Sequence, residues 1–337
     1  MEKTASANYT ESLIMERIPL TIMAGSDHAP GHLPESSANL HSLSTVYKGA
    51  EVKVGDTPLI ALMIEQIEKS RGFGPITIAG PADIYAPLEL EATLVDTNGS
   101  VATNLKAALD HHLETHPHKP IALLAYDVLM TSDELDALSA RYQEDEPCAV
   151  WVPLVRKPDR DEELGAFGWK PTYRLSPAKG AAPLNILPGH LGILQLEAMR
   201  LPILYELLNL AYATRNHPVP TRKKVMVRSV IGQLLRDDLR ALCSFRMPRL
   251  TGSVITNGLR IARQLRKGDL TIPDLEDAIG GIFLRHDSPL KKSGRGVRHP
   301  IVDILRLAED IDTQEEAAHL EHQPGSCSGK PGESRPS

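Results

Sequence analysis

The first half of this chain carries short, uninterrupted apolar segments, each separated from the next by a helical pattern. Ile18-Pro19-Leu20-Thr21-Ile22-Met23-Ala24 stops at Gly25-Ser26-Asp27, and Pro75-Ile76-Thr77-Ile78-Ala79 and Leu94-Val95-Asp96 follow. Ile121-Ala122-Leu123-Leu124-Ala125-Tyr126 and Ala149-Val150-Trp151-Val152-Pro153-Leu154-Val155 complete the set. Strands apolar on both faces must be covered on both faces, so the pattern predicts an α/β fold with a mostly parallel sheet between helices. The helices have their own signals. A helix is predicted from Pro58 to Ile67, with Asp56 or Thr57 as cap, Pro58 in first position and Gly72-Phe73-Gly74 closing it. Ser100 to Leu109 is a second helix, and Thr131-Ser132-Asp133-Glu134 opens a third with capping-box spacing.

Beyond residue 176 the pattern changes. From about Leu191 to Leu210 and from Lys224 to Ile282, Leu and Ile recur at helical spacing with few strand signals. That fits either a helical subdomain packed on the sheet or helical insertions in one large domain. The expected division is a loose arm over 1–16, an α/β core over 17–175, a helix-rich part over 176–312 and a disordered tail over 313–337. The tail's Gly/Ser/Pro composition buries too little apolar surface to offset chain entropy.

Charge and cysteine usage narrow the partners. The 37 Lys and Arg against 43 Asp and Glu give a net charge of −6, without the basic excess that phosphate-backbone binding requires, so no nucleic-acid partner is expected. No apolar run approaches the ~20 residues of a membrane span, and Met1-Glu2-Lys3-Thr4-Ala5 does not open a secretory signal. Cys148, Cys243 and Cys327 form no CxxC pair and read as two buried thiols and one tail thiol in a reducing compartment. A cytoplasmic protein without a membrane partner is expected.

Ligands of open α/β sheets bind outside the carboxyl ends of the strands. Three features fall there. Gly25, in Ala24-Gly25-Ser26-Asp27, permits close backbone approach, and Ser26 and Asp27 offer contacts to a nucleotide; an ordinary turn has the same composition. Asp127 ends the most apolar strand, where an unpaired buried carboxylate is costly, and suits Mg²⁺ held through one carboxylate plus substrate phosphates. Lys48 and Lys53 precede an anchored helix and can meet a triphosphate as point charges, though lone lysines are usually solvated. His111-His112 and His116-Pro117-His118 lie at a helix end, where histidine favours the dipole over a metal. Lys291 to His299 and Arg222-Lys223-Lys224 read first as solvated charge. No GxxxxGK[ST], GxGxxG or GxSxG motif occurs.

The order of these pieces over residues 17 to about 155 resembles the MobA-like NTP transferases, of the molybdenum-cofactor guanylyltransferase type, which have a GT-A-like, Rossmann-like nucleotidyltransferase fold. The matching stretches are Ile22-Met23-Ala24-Gly25, then Lys53-Val54-Gly55-Asp56-Thr57-Pro58-Leu59-Ile60 with Lys48 as the alternative lysine. Gly99-Ser100-Val101-Ala102-Thr103-Asn104-Leu105 and Asp127-Val128-Leu129-Met130-Thr131-Ser132-Asp133-Glu134-Leu135 complete them. The resemblance implies Mg²⁺ on Asp127, phosphate neutralisation by Lys48 or Lys53, and a nucleotide cradle from Ala24, Gly25 and Ser26 with Asn104. It implies transfer of an NMP from an NTP to a phosphorylated small-molecule acceptor, with release of pyrophosphate. Asn185, His190 and Asp303 are the candidates for a second metal ligand. The chain departs from the family where Ser26 follows Gly25, and where no arginine appears between Arg17 and Arg71. A nucleotide-binding or nucleotide-sugar-binding protein without transferase activity is therefore the alternative, and a glycosyltransferase a third.

Overall fold

The computed structural model describes residues 16–25, 47–160, 172–214, 250–311 and 313–321. The chain begins with β1 (Ile18–Met23), α1 (Lys48–Glu51), the strand pair β2 (Lys53–Val54) and β3 (Thr57–Pro58), and α2 (Leu59–Lys69). It continues through β4 (Phe73–Gly80), α3 (Ala82–Tyr85), β5 (Thr93–Asp96), α4 (Val101–Thr115), β6 (Ile121–Ala125) and α5 (Ser132–Glu144). Then come β7 (Val150–Trp151), β8 (Leu154–Arg156), β9 (Tyr173–Leu175), β10 (Leu184–Pro188) and β11 (Leu191–Leu194). The last elements are α6 (Leu201–Thr214), α7 (Leu250–Lys267), α8 (Ile272–Phe283), α9 (Pro289–Lys292), β12 (Val297–Arg298), β13 (Ile301–Val302) and α10 (Gln314–Glu321).

Seven strands form the main sheet in the order β12-β7-β11-β6-β1-β4-β5. All pair parallel except β11, which runs antiparallel between β6 and β7. Alternation along the strands sends side chains to two cores. Leu20, Ile22 and Leu124 join the cluster of α2 and α5, with Leu59, Ile60, Leu135 and Leu138. Ile121, Met23 and Leu123 join the cluster of α4 and α6, with Leu105, Leu109 and Leu204. Burying each such Leu or Ile contributes about 1.5–3 kcal/mol. The fold is thus α/β, a mostly parallel sheet with helices on both faces, followed by a helix-rich carboxyl-terminal half.

Several boundaries differ from expectation for local reasons. The helix predicted from Pro58 starts at Leu59, and neither Asp56 nor Thr57 caps it. Thr57 and Pro58 pair instead with Val54 and Lys53 in the β2–β3 hairpin, and the Leu59 amide donates to the Val52 carbonyl at 2.9 Å. The apolar run from Ala149 to Val155 splits at Val152-Pro153, because proline has no N–H to continue a ladder. Its first part enters the main sheet, and its second the four-stranded sheet β13-β8-β10-β9. The sheet does not end at residue 175: β11 and β12 are built from the second half, too short to show in its helical pattern. The segment from 313, expected to be loose, forms α10 up to Glu321, with Thr313 capping it and Ala317 buried in the main core. The predicted capping box of α5 is present, with Thr131 and Glu134 reciprocally bonded. Cys148 is buried and free, its thiol pushed up to about 12 mainly by burial, while Cys243 and Cys327 lie outside the described residues. Trp151 is fully buried and its indole N–H donates to Asp145. Among the described residues no helix is long and apolar enough to cross a membrane.

Candidate functional site

From β1 the sheet grows through β4 and β5 on one side, and β6 then returns on the other. The strand order reverses between β1 and β6, and such a switch point opens a crevice at the carboxyl ends of the strands. Ala24 and Gly25 leave β1 there, and Tyr126 and Asp127 leave β6.

Asn104 organises the donor side. It lies in the first turns of α4, whose Ser100 cap accepts from the Thr103 amide at 3.2 Å, and it is 2% exposed. Its Oδ1 accepts from Thr97 Oγ1 at 2.9 Å and from the Gly99 amide at 2.8 Å, and its Nδ2 donates to the Gly99 carbonyl at 3.2 Å. Three of the amide's four hydrogen-bonding positions therefore hold the 97–99 loop. The amide nitrogen also lies against Gly25, where an added Cβ would collide with it and would stand 3.2 Å from Asn104 Cγ. The structure thus brings Gly25 and Asn104 into contact, with Asn104 serving the loop as a pin. Ala24 is buried, and its amide donates to the Ala79 carbonyl at 2.8 Å. Ser26 lies outside the described residues.

Lys48 opens α1 and is half-buried. The next residue, Gly49, is buried against the turn after β6: a Cβ there would stand 3.2 Å from Tyr126 Cδ2 and 3.5 Å from the Tyr85 hydroxyl. The preceding Tyr47 donates its hydroxyl to Asn98 Oδ1 at 3.0 Å. Lys48 is therefore anchored on both sides to loops at the strand ends. Lys53 is not: its side chain is exposed, and its backbone is held by Gln314 of α10, which accepts from its amide at 3.0 Å and donates to its carbonyl at 2.6 Å.

Asp127 is half-buried in the turn after β6, and its carbonyl accepts from the Ile311 amide at 2.7 Å. That bond brings Asp310, also half-buried, to the same turn. Asp310 was not legible in the sequence, because nothing in Ala308-Glu309-Asp310-Ile311 distinguishes it from a solvated acid. The three sequence candidates for a second ligand sit differently. Asn185 is exposed on β10, where its backbone pairs with Arg174 and its carbonyl accepts from the Lys157 amide at 2.9 Å. His190 meets β6 through its carbonyl, which accepts from the Ala125 amide at 3.2 Å. Asp303 is 75% exposed and pairs with Arg156 at 3.2 Å.

A solved structure shares the fold. The hypothetical transferase from Thermus thermophilus matches with a TM-score of 0.51 at 16% sequence identity, covering 90% of this chain and 100% of that one. At that identity the likeness is one of fold. The Mycobacterium tuberculosis rv0371c homolog from mycobacterium sp. strain JC1 has a TM-score of 0.33 at 12% identity, covering 60% of this chain and 75% of its own. CMP:2-keto-3-deoxy-manno-octonic acid synthetase complexed with CTP has a TM-score of 0.37 at 10% identity, covering 64% and 85%. No family model matches the chain, and no curated protein does.

The remaining sequence features have structural roles. His112 is buried, donating Nε2–H to the Lys119 carbonyl at 3.0 Å, and burial holds its pKa below the ordinary value. Lys291 donates to the Gly280 carbonyl at 2.9 Å, and Arg200 to Gly281 and Ile282, so both cations serve the carboxyl end of α8. Among the described residues no three His, Cys, Asp or Glu side chains cluster as a metal site. Arg222, Lys223 and Lys224 lie outside the described residues.

Proposed function

We propose that this chain is a Mg²⁺-dependent nucleotidyltransferase that moves an NMP from an NTP to a phosphorylated small-molecule acceptor and releases pyrophosphate. The observation that carries the reading is the convergence of Gly25, Lys48 and Asp127 at the switch point of the sheet. The description of the Thermus thermophilus protein as a transferase supports the reaction class.

The donor set at Asp127 fits the metal. Mg²⁺ takes hard oxygen ligands and needs one or two carboxylates when substrate phosphates supply others; Asp127, with Asp310 beside its turn, offers that number. When bound, the ion neutralises charge on the phosphates. The chain's own residues do the positioning. Gly25, half-buried at the end of β1, offers its backbone for close approach by base and ribose, while Ala24 beside it is buried. Lys48 holds the triphosphate and offsets its charge, a role that the exposed Lys53 does not share. An acceptor phosphate oxygen then attacks the α-phosphorus, forming one P–O bond as the α-phosphorus bond to the bridging oxygen breaks and pyrophosphate leaves. Catalysis of this kind comes from alignment and charge stabilisation.

Pyrophosphate release, measured with each of the four common NTPs and a panel of phosphorylated alcohols, tests the reading. Asp127→Ala is expected to abolish Mg²⁺-dependent release, Lys48→Ala to lower it by about 10²-fold, and Lys53→Ala to leave it near wild type. Undiminished turnover in Asp127→Ala would overturn the assignment. Nucleotide binding without transfer is the second reading, favoured by the absence of arginine between Arg17 and Arg71; it predicts saturable NTP binding and no pyrophosphate with any acceptor.

A further inference from the structure

Gly49 and Gly80 meet Tyr47, Tyr85 and Tyr126 where the Lys48 turn crosses the end of the sheet. Tyr85 closes α3 and is 2% exposed. Its ring lies over the end of β4, where a Cβ on Gly80 would stand 2.7 Å from Tyr85 Cε2 and 2.9 Å from the Ala24 carbonyl oxygen. Its hydroxyl reaches the far side, toward Gly49. Tyr47 packs edge-on against the ring, with centroids 6.4 Å apart and planes at 83°. One ring therefore lies between the end of β4, which Ala24 flanks, and the Tyr47–Lys48–Gly49 turn. The hydroxyl is buried and has no hydrogen-bond partner. Burial raises its pKa, with Tyr47 and Glu51 adding to the effect, so it stays neutral. An unpaired buried hydroxyl does not help to hold the ring.

We propose that the Tyr85 ring is a positioning residue for Lys48: it fixes the lysine-bearing turn relative to the Ala24–Gly25 loop and acts on a bound triphosphate only through Lys48. This rests on reading the site as a nucleotide site. A smaller side chain would leave space beneath Gly49, and the turn would settle toward β4. The ring holds the turn through its edge-on contact with Tyr47, which phenylalanine keeps, losing only the hydroxyl's van der Waals contact toward Gly49.

The test is a double-mutant cycle on the full chain. Wild type, Tyr85→Phe, Tyr85→Leu, Lys48→Ala and the Tyr85→Leu/Lys48→Ala pair are titrated by calorimetry with Mg²⁺ and each of CTP, GTP, ATP and UTP. In parallel, acetylation of Lys48 without nucleotide is timed by mass spectrometry. Tyr85→Phe is expected to bind as wild type and Tyr85→Leu about tenfold more weakly, with no further loss when it is added to Lys48→Ala. The Lys48 acetylation rate should change in Tyr85→Leu and hold in Tyr85→Phe. Additive losses in the cycle, or an unchanged acetylation rate in Tyr85→Leu, would overturn the proposal. If wild type binds none of the four nucleotides, the nucleotide reading has failed and the acetylation rate alone decides the positioning claim. Tyr85→Met, unbranched and more adaptable in a core, replaces Tyr85→Leu in both measurements should the latter fail to fold.

Discussion

His299 shows how a residue can look chemical in sequence and be structural in place. In Arg295-Gly296-Val297-Arg298-His299 it reads as part of a basic run, yet it is 7% exposed, with Nδ1–H donating to the Val152 carbonyl at 2.8 Å. That bond covers the break at Val152-Pro153, a role no local pattern reveals. Burial holds its pKa below the ordinary 6.5, with the Val152 bond opposing, and burial does the same to His112. The unfolded chain therefore binds protons below about pH 6.5 that the folded chain refuses, so stability is full above that value and falls as the pH drops. Glu276, whose pKa burial raises, works in the opposite sense closer to its ordinary 4.5. The melting temperature is expected to fall between about pH 7 and pH 5.5. His299→Asn, which keeps a side-chain N–H for the Val152 carbonyl, should flatten that fall when melting is followed by calorimetry. Asp127 was legible as a candidate because a carboxylate at a strand end is poorly explained by packing, whereas Gly25 had the composition of an ordinary turn. Tyr85 and Asp310 were not legible, since their significance lies in what other segments bring beside them.

At the scale of elements, legibility followed length and local signal. α4 and α5 carry caps and full turns, and their starts matched expectation. β7, β12 and β13 have two residues each, too few for a period, and their pairing is set by the sheet. α10 was illegible for another reason: Gln314-Glu315-Glu316 resembles the polar tail that follows, and only Ala317 carries its contact with the core. The segment leading to it is more deeply packed, with Leu307, Ala308 and Ile311 all buried in the main core. A chain stopped at residue 304 loses Leu307 and Ile311 from that core, about 3–6 kcal/mol of burial. Denaturant unfolding should place its midpoint well below that of a chain stopped at residue 321; equal midpoints would mean that the segment contributes no stability. The shorter chain would also lose the Ile311 bond to the Asp127 turn and the Gln314 clamp on Lys53.

At the scale of the whole molecule, a parallel sheet covered on both faces followed from uninterrupted apolar strands, and the structure has that arrangement. The position of β11 did not follow, because an antiparallel strand inserted between β6 and β7 is a long-range pairing without a local signature. The switch point lies between β1 and β6, where Gly25 meets Asn104 and the Lys48–Gly49 turn packs on Tyr126, next to Asp127. The strand ends at this switch point are proposed as a metal-dependent nucleotide site. Its most direct test is the melting temperature of wild type, Asp127→Ala and Gly25→Ala against CTP, GTP, ATP and UTP, each with and without Mg²⁺. A ligand that binds only the folded chain raises that temperature through ln(1 + [L]/Kd). A Mg²⁺-dependent rise with at least one NTP, lost in both variants, is expected. No rise with any of the four, or a rise that Asp127→Ala retains in full, would contradict it.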